Sequence, residues 1–159
     1  MAIVVATLTY IRAQGKTLML HRNKKDSDYH RGKYNGIGGK MEIGESPETC
    51  AKREIFEETG LTAHSIKYRG HLSFPAFDGV NDWLCFIYEC NDFSGKMIEC
   101  SEGTLHWVAD VDLFQLNLWE GDRHFLEVIY DSKDYFSGCF TYRDKSLVDY
   151  ILQRQAHGA

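Results

Sequence analysis

Proline is nearly absent, at 2 of 159 residues, and no stretch has the biased composition of a linker or a low-complexity tract. That excludes a fibrous or disordered chain and a Pro-rich spacer. A cationic surplus is missing too. Lys and Arg number 18 against 23 Asp and Glu, a formal net charge of −5, so no nucleic-acid polymer is expected as a partner and an anionic ligand has to be held locally. No C-x-x-C pair occurs among Cys50, Cys85, Cys90, Cys100 and Cys139, and their number is odd. Neither a disulfide framework nor a zinc site follows, and a cytoplasmic protein with reduced thiols is expected. No apolar run reaches the roughly 20 residues of a membrane span. The run AIVVATLTYI also lacks the basic leader and small-residue cleavage site of a secretory signal, so it is read as a buried strand. Membrane association and an obligate protein partner are therefore not expected.

What is present is a globular mixture, 43% apolar and 26% charged, at a length that suits one well-buried domain over residues 1–159. Two β-rich runs, 3–12 and 17–21, flank AQGK and predict a hairpin. Residues 23–46 are polar and glycine-rich, which predicts a surface loop with short extended pieces. Ser46 as N-cap, Pro47 at the first helical position and Gly60 as the left-handed closing residue predict a helix over Pro47–Thr59. Residues 64–74 and 81–90 predict two further strands around PAFDGV, and 103–109 another. Phe125, Leu126, Ile129 and Tyr130 recur at helical spacing within 121–133. Residues 135–142 read as a strand, and 146–152 as a strand or a short helix. Strands and helices are interspersed without regular βαβ alternation, which predicts an α/β protein of the α+β type, helices packed on a mixed sheet.

The stretch REIFEETG carries the chemistry. In a helix its Glu54, Glu57 and Glu58 share one face, and each like-charge pair three or four residues apart destabilises by a few tenths of a kcal/mol. Arg53, four residues before Glu57, gives partial relief, and a divalent cation gives more. Mg²⁺ prefers hard oxygen ligands and takes one or two protein carboxylates plus water and substrate phosphates. Bound there, it would neutralise phosphate charge and acidify an attacking water.

The surroundings of these acids form the complete pattern G-x5-E-x7-R-E-U-x-E-E-x-G-U, with U aliphatic: Gly39, Glu45, Arg53-Glu54-Ile55, Glu57-Glu58, Gly60-Leu61. This is the Nudix box, residues 39–61, and the chain resembles the Nudix hydrolases, which cleave a nucleoside diphosphate linked to another group with Mg²⁺ or Mn²⁺. The resemblance implies the Nudix fold, a mixed curved sheet sandwiched between helices. It implies Glu54, Glu57 and Glu58 as metal ligands together with the Gly38 carbonyl, with Glu45 and Arg53 orienting the carboxylates. A later acid, Glu102 in ECSEGTLHW, is expected on the same cluster, and the general base is Glu57 or Glu102.

GKYNGIGGKMEIGES, ECSEGTLHW, NLWEGD and FSGCFTY...LVDY are similar in content and order to the MutT-like oxidised-purine nucleoside triphosphatases of the mammalian sanitising type. That likeness implies 8-oxo-dGTP diphosphatase activity, a nucleotide-pool role in DNA repair, and a base pocket with Asn35 and Asp122 as readers, Trp119 as the stacking ring, and Thr7 and Tyr29 as lining. Two departures fall at this pocket: Glu120-Gly121-Asp122 supplies one aligned acid where the resembled enzymes have two adjacent ones, and the loop from Asn23 to Gly32 is about two residues longer. Other nucleoside diphosphate derivatives stay open as substrates, namely ADP-ribose, a nucleotide sugar, a dinucleoside polyphosphate or an RNA 5′ end. A nucleotide-sensing module without catalysis is the alternative of a different class.

Overall fold

The computed structural model of the protein describes residues 2–157. Strands β1 (Ile3–Ala13) and β2 (Lys16–His21) are joined by Gln14 and Gly15, whose φ values of 53° and 73° are both positive. Such a two-residue turn matches the twist of its strands, so the hairpin is tighter than the four-residue loop AQGK. The glycine-rich segment yields the expected short pieces, β3 (Tyr34–Asn35) and β4 (Ile37–Lys40).

Helix α1 spans Pro47–Thr59, as predicted, and its ends are those foreseen. The Ser46 hydroxyl accepts from the Thr49 amide at 3.1 Å, and Gly60, at φ 81°, donates its amide to the Phe56 carbonyl at 2.9 Å. Strands β5 (Leu61–Phe74) and β6 (Asp82–Gly95) follow, longer than their apolar cores. After β7 (Thr104–Ala109) a 3₁₀ helix over Asp110–Gln115 leads to α2 (Asp122–Asp131), β8 (Tyr135–Arg143) and β9 (Ser146–Gln155). The last segment is a strand and not a helix. Asp144 and Lys145, at φ 50° and 66°, fold it back in a second tight turn, and it pairs with β8 from Arg143 opposite Ser146 to Tyr135 opposite Gln155.

The strands form one mixed sheet of order β3-β2-β1-β6-β5-β8-β9, parallel between β1 and β6 and between β5 and β8. Strand β1 pairs with β2 only over Ile11–Ala13, then with β4 over Ala6–Thr9, while β7 lies on the other edge of β2. Alternation along the strands sends side chains to two cores. Tyr10 and Met19 join Phe125, Leu126 and Ile129 of α2 on one face, whereas Ile11, Leu18 and Leu20 meet Ile55 of α1 on the other. Helices therefore cover both faces of the sheet, as the resemblance implied. All five cysteines are free, and among the described residues no helix is long and apolar enough to cross a membrane.

One buried cation ties α2 to the sheet. Arg69 on β5 is 4% exposed, and its guanidinium donates to the carbonyls of Val128, Ile129, Ser132 and Asp134 and to Glu89. It thereby satisfies the carbonyls that a helix end leaves without partners. Arg69→Met leaves these groups and Glu89 without that charge. A loss of about 3 kcal/mol in urea unfolding is expected.

Candidate active site

Glu54, Glu57 and Glu58 line one cavity together with Gly38 and Gly39 of β4, as their spacing on α1 predicts. Arg53 gathers the acids. Its Nε and Nη2 clasp both oxygens of Glu45 at 2.7 and 2.9 Å, while Nη1 donates to Glu54 Oε1 at 2.9 Å and to Glu57 Oε2 at 3.0 Å. The clasp, aided by the Glu42 amide at 2.8 Å, holds the Glu45 carboxyl down at about 2 and keeps Arg53 charged. Glu45 stands behind Arg53 and is not part of the cavity wall, so its reach to the other acids runs through the guanidinium.

The backbone of β4 sets the other wall. The Met41 amide donates to Val5 O at 2.9 Å, and in an antiparallel pair bonded and non-bonded positions alternate. Residues 38 and 40 therefore turn their amide and carbonyl groups away from β1. Lys40 shows this directly, for its carbonyl accepts from Arg53 Nη2 at 3.1 Å. Gly38 presents its backbone in the same way, with its amide against the Glu58 carboxylate. No side chain fits at Gly38, where a Cβ would run into the Thr7 carbonyl, and a Cβ on Gly39 would displace the Glu54 carboxylate from its place.

Of Glu54, Glu57, Glu58 and Glu102, Glu58 is the one that forms no ion pair with a described residue, although the charge of Arg22 opposes its shift. Burial first, then the charges of Glu54 and Glu102, push its carboxyl up to about 8, and burial raises Glu54 as well. Glu102, in the turn before β7, lines the same cavity as expected, held by Arg22 at 3.1 Å and Lys25 at 3.2 Å. Among the described residues no three His, Cys, Asp or Glu side chains converge as a finished metal shell, since Arg53 draws on Glu54 and Glu57 while Arg22 and Lys25 draw on Glu102. The donor set nevertheless fits a hard divalent ion. It is all oxygen, it holds more carboxylates than cations, and one of its acids is ionised only at a penalty that a cation would remove.

The same cavity, about 730 Å³, continues to the residues expected to read a base. Its walls come from both faces of the sheet, where β1 leaves β2 for β4. Asn35, on β3, is 9% exposed, and Asp122, at the start of α2, is 8% exposed. Neither side chain makes a hydrogen bond or ion pair to another described residue. Burial carries the Asp122 carboxyl up to about 7, opposed by Lys33 and Arg123. Trp119 is stacked on Tyr29 at 5.7 Å and 13°, and Phe77 and Tyr142 meet it edge-on. Thr7 lines the cavity, but its hydroxyl is engaged with Cys50 Sγ at 3.4 Å. Strand alternation turns Leu8, not Thr7, toward the Trp119 side.

Sequence reasoning missed Arg22, Lys25, His30, Phe77 and Tyr142. The Tyr142 hydroxyl accepts from the Gly121 amide at 2.7 Å, and a Cβ on Gly121 would lie 2.7 Å from the same oxygen. The space beside residue 121 is thus taken by a tyrosine from β8. No spacing in the sequence signals this, because the contact depends on how β8 registers against the sheet.

Glu58 ionises near 4.5 when unfolded and at about 8 when folded. Between those values the folded state binds more protons, so metal-free stability falls as pH rises through that window. Glu58→Gln is expected to be more stable than the parent at about pH 9 in chelator, and the difference should close below about pH 4.5. Thermal melts across pH check this, and a constant difference would place the Glu58 carboxyl in water.

Comparison with known proteins agrees with this geometry. The NUDIX domain family matches residues 2–129. An uncharacterised Nudix hydrolase of Bacillus subtilis, YvcI, is 31% identical over 150 residues, covering 91% of each chain. The oxidized purine nucleoside triphosphate hydrolase of Mus musculus is 28% identical over 130 residues, covering 81% of this chain and 83% of its own. The crystal structure of a MutT protein from Bacillus halodurans superposes with a TM-score of 0.84 at 29% identity, over 94% of this chain and 97% of that one. With the box complete and a matched domain over most of its length, the chain belongs to the Nudix hydrolases, which act on phosphoanhydride bonds of nucleoside diphosphate derivatives.

Proposed function

We propose that this Nudix hydrolase is a metal-dependent nucleoside triphosphate pyrophosphatase that converts 8-oxo-dGTP or a related oxidised purine nucleotide to the monophosphate and pyrophosphate. The observation that carries the reading is the single cavity that joins the α1 carboxylates to Asn35, Asp122 and Trp119. One end suits a polyphosphate and its counter-ion, the other a planar base. Relatives from Mus musculus and Danio rerio, both described as oxidized purine nucleoside triphosphate hydrolases, are 28% and 27% identical.

Glu54, Glu57, Glu58 and Glu102, with the outward-turned carbonyl of Gly38, would hold Mg²⁺, or Mn²⁺ in its place. When bound, the ion supplies charge neutralisation on the phosphates and a water of lowered pKa. Arg53 keeps Glu54 and Glu57 aimed, and Glu45 keeps Arg53 aimed. Glu57, 55% exposed and tethered through Arg53 alone, is the freer of the two candidate bases, whereas Glu102 is tied to Arg22 and Lys25. Asn35 offers a donor and an acceptor to a base edge, Trp119 and Tyr29 offer stacking worth about 1–3 kcal/mol, and Asp122 can accept or, once protonated, donate. A nucleotide-pool sanitising role follows from that substrate, and a cytoplasmic location is proposed with it.

A second reading rests on Gly121. With one acid in place of two, the pocket suits another nucleoside diphosphate derivative, such as ADP-ribose, a nucleotide sugar, a dinucleoside polyphosphate or an RNA 5′ end. A hydrolysis screen in Mg²⁺ separates the two. Faster turnover of 8-oxo-dGTP than of ordinary triphosphates, ADP-ribose and dinucleoside polyphosphates is expected, and comparable rates on all triphosphates would remove the sanitising assignment. In the same assay Glu57→Gln and Glu58→Gln should lower turnover by orders of magnitude with the fold intact, and near-normal turnover of either at saturating Mg²⁺ would defeat the metal cluster.

A further inference from the structure

His30 lies in the lengthened loop before β3, next to Tyr29, which was expected to line the base pocket, but no role was expected for His30 itself. Its Nδ1 is 2.8 Å from Trp119 Nε1. An indole nitrogen can only donate, so Nδ1 is the acceptor, and a neutral imidazole that accepts at Nδ1 carries its proton on Nε2. Burial, reinforced by the charge of Arg22, holds the ring at about 4, which keeps it neutral near pH 7. The ring cannot turn freely. It stands edge-on to Trp119 at 5.5 Å and 84° and is stacked on Phe77 at 5.8 Å and 29°.

The Nε2–H so fixed meets no acceptor among the described residues. It is not sealed off either, because His30 lines the cavity and its Nε2 is not among the fully enclosed unpartnered polar atoms, Thr9 Oγ1 and Tyr10 Oη. A donor held in one direction and reachable from the cavity can exchange water for an acceptor that a ligand brings. Asp122 makes no hydrogen bond to His30 among the described residues, and Gly121 has no side chain that could supply an acceptor.

We propose that His30 is a specificity-determining residue of the base pocket, whose Nε2–H donates to a carbonyl oxygen on the bound base while Trp119 Nε1–H fixes the donor tautomer. This rests on the reading that a base occupies the Trp119 end of the cavity. It adds that the pocket prefers bases with a ring carbonyl over matched bases without one. Trp119 then has two tasks, a stacking face and a tautomer lock, and the loop from Asn23 to Gly32 belongs to recognition.

Two variants separate these tasks. His30→Asn keeps an acceptor near the Nδ1 position but removes the Nε2 donor. His30→Gln places an amide N–H near Nε2 and removes the acceptor that meets Trp119. Dissociation constants are measured by calorimetry for two matched pairs of probes, dIMP against 2′-deoxynebularine monophosphate and 8-oxo-dGMP against dGMP. The parent should prefer the member with the additional carbonyl, dIMP or 8-oxo-dGMP, in at least one pair. His30→Asn should shrink that preference roughly tenfold, and His30→Gln should keep most of it. Nitrogen-15 shifts of His30 should show the Nε2–H tautomer in the free protein and move at Nε2 on addition of the preferred probe.

An unchanged preference in His30→Asn, or equal weakening of every probe, overturns the proposal. Asn35→Ala and Asp122→Ala serve as controls. If they alter base preference while His30→Asn does not, only the role of His30 falls. If none of the three alters it, the base reading of the cavity falls as well.

Discussion

Like charges that must stand together are the constraint on which this structure turns. Helix α1 carries three glutamates on one face, and Arg53 answers them from the same helix, bridging Glu54 and Glu57 and anchored from behind by both oxygens of Glu45. A guanidinium suits this position because its donors lie in a rigid plane, so one residue can serve several carboxylates in fixed directions. Lysine would bring the charge without the directions. Glu58, which the guanidinium does not reach, keeps the unresolved part of the repulsion and is the acid most in need of a cation.

The sheet gives this cluster somewhere to act. Because β1 exchanges β2 for β4 partway along its edge, a gap opens between the two cores, and the cavity draws walls from both. The acids lie on the α1 side and Trp119 and Asp122 on the α2 side. A ligand spanning them touches both helices that cover the sheet. The buried guanidinium of Arg69, which closes the far end of α2, fixes the second helix to the same strands and so fixes the distance between the two ends of the ligand site.

What could be read in the sequence was what local spacing encodes. The caps at Ser46 and Gly60, the face shared by Glu54, Glu57 and Glu58, and the box from Gly39 to Leu61 are all set within one helix and the loop before it. Asn35, Asp122 and Trp119 were placed by likeness and not by pattern, and the structure brings them to one cavity. Thr7 shows the limit of that route, since it lines the cavity from β1 but its hydroxyl faces Cys50. His30, Phe77 and Tyr142 come from three distant segments that meet only through the loop before β3 and the pairing of β8 with β5. The ambiguity of residues 146–152 had a similar source, because a two-residue turn with positive φ at Asp144 and Lys145 decided it, and neither residue announces that conformation as glycine would.

The contact between Gly121 and Tyr142 makes those two positions epistatic. An acid introduced at 121 would collide with the phenol oxygen, and shortening 142 alone would strip the Gly121 amide of its acceptor at the entrance to α2. Each single change is therefore penalised, and a change at 142 made together with an acid at 121 would remove the collision but not restore the lost acceptor. The identity of residue 121 is thus tied to that of residue 142, across the chain, by a single oxygen atom.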